Sequence, residues 1–304
     1  MSLNIAFMGT PQFAIPTLKK ILLTSHSVKA VYSQPPRKSN RGMKLEKSPI
    51  HVLAEENNLS VRTPNSLEED FDYFQQLNVD LVVVVAYGQI ISKQFLQLPK
   101  YGFLNVHASL LPKWRGAAPI QRSVMAQDSA TGISIMKIEE QLDSGPVLLV
   151  ESMKLNLSTT SGEVENYLSN IGGDKILEAI QLIEEGKARF IPQEEDKATY
   201  AKKIKKEDEI IHWNKSAKEI IAQIHGLNPR PGACFTYKEE KIKIWKAEYV
   251  AKNDKPGLVL DNQLCISCGE GALKILEIQR PGKKIQQTKD FLLGFAIPQN
   301  TQLN

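Results

Sequence analysis

The stretch Asp80-Leu81-Val82-Val83-Val84-Val85-Ala86-Tyr87-Gly88 decides the fold. A run of Leu and Val without polar alternation describes a strand buried on both faces, as in a parallel sheet covered by helices. Upstream, a helical pattern runs from about Leu67 to Leu77, and before it Pro49 to Asn57 can start another helix. At the N-terminus, Leu3 to Met8 reads as an apolar strand. Gly9-Thr10-Pro11 turns it into a helix reaching Leu23, and Val28 to Tyr32 is a second strand. Downstream, Gly102 to His107 and Gly132 to Ile138 are further strands. Alternating β and α elements predict an open, doubly wound α/β sheet of Rossmann-like type. Ligands bind such sheets outside the carboxyl ends of the strands, which is where Gly9, Tyr87-Gly88 and the loop after His107 fall.

The pattern changes further along. Gly162 to Glu185 is a helix by its apolar spacing, and residues 187–206 are polar, with Lys202, Lys203, Lys205 and Lys206 clustered. After one helix at Ser216 to His225 come short stretches at 234–237, 241–245, 257–260, 263–267 and 273–278. Five short strands predict a small β-barrel of the oligonucleotide-binding type. The expected organisation is a catalytic domain at 1–186, a basic linker at 187–206 and a smaller C-terminal β-barrel domain at 207–304.

The chain has 304 residues, 42% apolar and 24% charged, enough for two globular cores. No stretch approaches the ~18 apolar residues of a membrane span, and the N-terminus lacks a secretory pattern, so a cytoplasmic protein is expected. Cys265 and Cys268 form a CxxC without a second pair, which reads as ordinary thiols. The net charge of +4 hides a division. Residues 1–196 carry 19 basic against 22 acidic side chains, and residues 197–304 carry 19 against 12. A basic C-terminal third points to a polyanionic partner. The front half has its own basic loop, Arg37-Lys38-Ser39-Asn40-Arg41-Gly42-Met43-Lys44-Leu45-Glu46-Lys47, whose cations suit phosphate contacts.

Three residues carry the chemistry. Asn105 and His107 stand two apart on one strand and so share a face. Asp143 lies in Gln141-Leu142-Asp143-Ser144-Gly145. An amide can donate to a developing oxyanion, an imidazole can share a proton, and a carboxylate can orient that imidazole or accept a proton from an amine. Together they fit acyl transfer to an amine. Each alone has an ordinary role: strand-end hydrogen bonding for Asn105, a core imidazole for His107, a turn for Asp143. Gly9-Thr10-Pro11 lacks the dinucleotide fingerprint, and no P-loop lysine motif occurs. His51 with Glu55, and Glu209 with His212, lack a third ligand, so no metal is expected.

Several motifs closely resemble the methionyl-tRNA formyltransferases. They are Asn105-Val106-His107 with Ser109-Leu110-Leu111-Pro112, Trp114-Arg115-Gly116-Ala117-Ala118-Pro119-Ile120-Gln121, and Leu142-Asp143-Ser144-Gly145. Phe7-Met8-Gly9-Thr10-Pro11, Val84-Val85-Ala86-Tyr87-Gly88, Arg41-Gly42 and Ile244-Trp245-Lys246-Ala247 extend the likeness over nearly the whole length. The resemblance implies formyl transfer from 10-formyltetrahydrofolate to initiator methionyl-tRNA by a monomer, with Asn105, His107 and Asp143 catalytic. It also implies folate contacts from Ser109, Leu110, Leu111 and Pro112 and from Ala86, Tyr87 and Gly88. On the tRNA side it implies contacts from the basic loop (Arg37, Lys38, Arg41, Lys44), and the clustered charge of Lys203 and Lys206 adds attraction for the phosphate backbone. The chain departs from the family pattern at Gln34-Pro35-Pro36-Arg37, at Asn228-Pro229-Arg230-Pro231 and at Pro146. A formyltransferase for an amino-sugar nucleotide or glycinamide ribonucleotide, or a non-catalytic RNA-binding protein, are the alternatives.

Overall fold

A computed structural model describes residues 2–39 and 44–303. The chain divides into two compact units that interleave in sequence. The first comprises 1–116, 132–152 and 165–200; the second comprises 117–131, 153–164 and 201–304. The strands are β1 (Asn4–Gly9), β2 (Ser27–Tyr32), β3 (Arg37–Ser39), β4 (Lys44–Glu46), β5 (Val61–Arg62), β6 (Leu81–Val85), β7 (Phe103–His107), β8 (Arg115–Gly116), β9 (Ala130–Lys137) and β10 (Val147–Lys154), then β11 (Tyr200–Ala201), β12 (Ala233–Tyr237), β13 (Glu240–Val250), β14 (Cys265–Ser267), β15 (Ala272–Gln279) and β16 (Gln286–Gln287). The helices are α1 (Ile15–Leu22), α2 (Pro49–Glu56), α3 (Phe71–Gln76), α4 (Lys93–Leu96), α5 (Pro119–Met125), α6 (Ser161–Glu184), α7 (Ala217–Gly226) and α8 (Thr288–Gly294).

The first unit is built on a seven-stranded sheet ordered β10-β9-β7-β6-β1-β2-β5. β6 is buried along its whole length, as its Leu/Val run requires. Each such side chain withdrawn from water contributes about 2 kcal/mol. β1 pairs in parallel with β2 on one side and with β6 on the other, and β6 pairs in parallel with β7. The chain therefore runs outward from β1, returns, and runs outward the other way. The crevice of such a sheet opens where the order reverses, between β1 and β6. β9 joins β7 antiparallel, so the sheet is not parallel throughout. β10 was not expected from the sequence. It alternates half-buried and exposed residues over its last five positions, the mark of an edge strand.

The polar loop after β2 contains a short antiparallel hairpin, β3 with β4; residues 40–43, Arg41 among them, lie outside the described residues. The expected linker is not one segment. Residues 187–200 belong to the first unit and 201–206 to the second.

In the second unit β12, β13, β15 and β14 form an antiparallel sheet, with β16 paired to β15. Its core gathers Ile220, Ile224, Phe235, Ile244, Ile266 and Phe291. The strand expected at 257–260 makes only single bridges, Leu258 to Gln302 and Val259 to Ile266. Helix α5, although it precedes β9 of the first sheet, belongs to this unit. Gly226 of α7 lets α5 approach: a Cβ there would lie 2.4 Å from Met125 Cγ and 3.2 Å from the Gln121 carbonyl. Arg122 of α5 forms a two-pronged ion pair with Asp208, both contacts at 2.9 Å. The three cysteines are buried and free, and burial pushes the Cys268 thiol up to about 12.

Candidate active site

β7 brings Asn105 and His107 to the carboxyl edge of the first sheet, with Asn105 in register beside Val84 of β6. His107 is buried, while Asn105 is half-buried. The His107 Nε2 lies 3.0 Å from the Trp114 carbonyl. A carbonyl only accepts, so Nε2 carries the proton and Nδ1 of the neutral ring keeps its lone pair. That Nδ1 faces Asp143, whose Oδ2 is 3.7 Å away. A proton gained at Nδ1 thus points at a carboxylate. The side chain of Asn105 makes no hydrogen bond among the described residues, which leaves its amide free for a bound carbonyl.

Asp143 sits at a left-handed bend with φ +49°. Its Oδ2 also accepts the Gly116 N–H at 2.8 Å. Gly145 lies against Lys137 so closely that a Cβ would fall 1.9 Å from the Lys137 carbonyl. Lys137 N–H in turn donates to the Pro146 carbonyl at 2.9 Å. The loop is therefore pressed onto the end of β9. Beside it an open groove of about 620 Å³ is lined by Lys93, Gln97, Lys137, Glu139, Gln141 and Ser144.

The segment 187–200 supplies a support that composition did not reveal. The Gln193 side-chain amide donates to the carbonyls of Asp143 and Gly145 at 2.8 and 2.7 Å, and its oxygen accepts from Arg115 Nε at 3.0 Å. Arg115 is 1% exposed and grips Glu195 with both terminal nitrogens, at 2.9 and 2.7 Å. The guanidinium holds the Glu195 carboxyl below the usual carboxylate range. Thr199 fastens the same neighbourhood. Its carbonyl accepts the Arg115 N–H at 2.8 Å and its hydroxyl accepts the Trp114 N–H at 2.9 Å.

The residues expected to contact the folate lie on the loop after β7 and on the turn after β6. Ser109 is fully buried and its hydroxyl donates to the Lys113 carbonyl, so it shapes its loop rather than presenting a hydroxyl. Ser134 reinforces that loop by donating to the Ser109 carbonyl and accepting the Leu111 N–H. Leu110, Leu111 and Pro112 are half-buried. Ala86 and Gly88 have positive φ, +48° and +82°, and are exposed on either side of buried Tyr87. The Tyr87 carbonyl accepts from Thr10 Oγ1 at 2.9 Å and from Gln34 Nε2 at 3.3 Å, a closure of the β1–β6 crevice that sequence reasoning missed.

The expected tRNA contacts are divided between the units. Arg37 is exposed and donates to Gln34. Lys38 and Lys44 fall on β3 and β4, and Arg41 lies outside the described residues. Lys203 and Lys206 are exposed in the second unit. Among the described residues no group of three His, Cys, Asp or Glu side chains could hold a metal ion.

Residues 3–180 match the family described as formyl transferase, and residues 203–296 match the formyl transferase C-terminal domain. The chain belongs to the formyl transferase family. Its relatives include the methionyl-tRNA formyltransferase of Pelagibacter ubique (strain HTCC1062), 49% identical over 100% of this chain and 99% of that one. Another is that of Parvibaculum lavamentivorans, 47% identical over 97% and 98%. This identity over the whole length puts the chain among the methionyl-tRNA formyltransferases. The fold is shared with HypX from Aquifex aeolicus in complex with tetrahydrofolic acid (TM-score 0.69, 15% identity), covering 98% of this chain. This chain spans about half (49%) of HypX. It is shared also with the N-formyltransferase from Helicobacter canadensis in complex with folinic acid and dTDP-3-aminofucose (TM-score 0.68, 20% identity, 91% and 99% covered).

Proposed function

We propose that this chain transfers the formyl group of 10-formyltetrahydrofolate to the free α-amino group of initiator methionyl-tRNA, for the start of translation. The observation that supports the chemistry is one constellation: an Asn105 side-chain amide without a hydrogen bond among the described residues, on the same strand as an imidazole whose Nδ1 faces the Asp143 carboxylate. Whole-length identity to enzymes of that name supports the acceptor.

The reaction forms a bond between the amine nitrogen and the formyl carbon and breaks the bond from that carbon to N10 of the folate. One proton leaves the amine and one reaches N10. Asn105 donates its N–H to the formyl oxygen as charge builds there. Asp143 and His107 take up the proton from the attacking amine, and His107, held by its Nε2 bond to Trp114, returns one to the leaving nitrogen. The half-buried Leu110, Leu111 and Pro112, with Ala86 and Gly88, wall the donor side. Arg37, Lys38, Arg41, Lys44, Lys203 and Lys206 meet the phosphate backbone, so binding weakens steeply with added salt. The family likeness supports a monomer working in the cytoplasm, and no helix among the described residues is long and apolar enough to cross a membrane.

The test compares formyl transfer to methionyl-tRNA, a dTDP-amino sugar and glycinamide ribonucleotide with one donor. Transfer to the tRNA and to neither small amine is expected. Transfer confined to a small amine overturns the acceptor and leaves the chemistry standing.

A further inference from the structure

Asp143 has no helix or strand of its own to hold it. It occupies a left-handed bend, which few residues besides Gly, Asn and Asp adopt. Two ties hold it there. The carboxylate is fixed by the Gly116 N–H, and the main chain is fixed by Gln193, which spans the carbonyls of residues 143 and 145 with its two amide hydrogens. Gln193 has no freedom left, because its oxygen is taken by Arg115. Arg115 is locked by Glu195, and its own backbone precedes the Gly116 N–H that holds the carboxylate. Trp114, whose carbonyl orients His107, is fastened by Thr199. Gln193, Glu195 and Thr199 thus reach both members of the His107–Asp143 pair without a hydrogen bond to either side chain.

We infer that Gln193 is a positioning residue for formyl transfer, setting the Asp143 carboxylate opposite His107 through the carbonyls of Asp143 and Gly145. The inference rests on the proposed role of Asp143. A displacement of about 1 Å at a reacting group can cost about 10²-fold in rate. Gln193→Leu keeps comparable bulk and removes both donors and the acceptor.

The experiment measures kcat and KM for Gln193→Leu, Asp143→Asn and the double variant, with circular dichroism melts confirming that each folds. Gln193→Leu is expected to lose about 10²-fold in kcat, with KM for the folate donor changed by less than about threefold. The double variant is expected to be no slower than Asp143→Asn, because a residue that acts through Asp143 has nothing left to position. A folded Gln193→Leu with wild-type kcat overturns the inference, and so does a double variant whose loss is the product of the two single losses. Wild-type kcat in Asp143→Asn overturns the role of Asp143 itself, a different failure. Should Gln193→Leu not fold, Glu195→Ala carries the test, since that side chain is 66% exposed. A loss of about tenfold in kcat then supports the inference, and wild-type kcat overturns it.

Discussion

Replacing Asn105 with Ala separates catalysis from folding more cleanly than any other change at this site. The Asn105 side chain makes no hydrogen bond among the described residues, so its loss leaves no buried partner unsatisfied. Removing a half-buried side chain without partners costs about 1 kcal/mol of stability or less. The barrier responds differently. A donor aimed at a developing oxyanion is worth about 2.7–4 kcal/mol, and its removal lowers kcat by about 10²–10³-fold. Asn105→Asp should fall further, since it sets an anion where negative charge develops. The assay is single-turnover transfer of labelled formyl to methionyl-tRNA at saturating donor, with urea unfolding in parallel. A rate within about threefold of wild type for Asn105→Ala refutes the oxyanion role, because that corresponds to no more than about 0.65 kcal/mol of barrier. A stability loss above about 2 kcal/mol refutes the claim that the side chain is structurally idle.

Gly145→Ala forces a methyl group to 1.9 Å from the Lys137 carbonyl, so the Asp143 loop must lift from β9. An overpacking cost of about 1–3 kcal/mol in thermal melts and a kcat loss of at least about 10²-fold are expected; wild-type values in both would refute the close contact. The Arg62–Asp70 pair in the first unit predicts acid sensitivity. Arg62 Nε donates to Asp70 Oδ2 at 2.9 Å, and this hydrogen bond holds the carboxyl below its usual range. A depressed folded-state pKa gives stability that is full above the unfolded value of about 3.9 and is lost as pH falls through the folded value. Asp70→Asn should therefore be about 1–2 kcal/mol less stable than wild type at neutral pH, with the gap closing as pH drops below about 4, read from urea midpoints. A gap independent of pH refutes the assignment.

The parallel core of the first sheet was legible because burial on both faces leaves a plain signature, the Leu/Val run of β6, and the short apolar β7 follows it. The pairing of Asn105 with His107 was legible because strand geometry converts a spacing of two into a shared face. The edge strand β10 was not, since none of its residues is buried, three of the eight are exposed, and its pattern is diluted by Glu151 and Lys154. Nor was the membership of α5, which depends on what Gly226 permits a hundred residues later. The support from Gln193, Glu195 and Thr199 left no trace in composition at all. Its bonds end mostly on backbone carbonyls and amides, which every residue carries, and the segment itself is as polar as any solvated connector. A linker and a scaffold of this kind differ only in where their hydrogen bonds land.

That scaffold sets an order of assembly. A nascent chain that has emerged only as far as the end of helix α6 already contains Asn105, His107 and Asp143, yet lacks the three residues that brace the latter two. Until Gln193 has cleared the ribosome, the carboxylate bend has one anchor instead of two. On the role inferred for Gln193, the His107–Asp143 pair gains its full support with this short polar segment rather than with the last strand of the sheet.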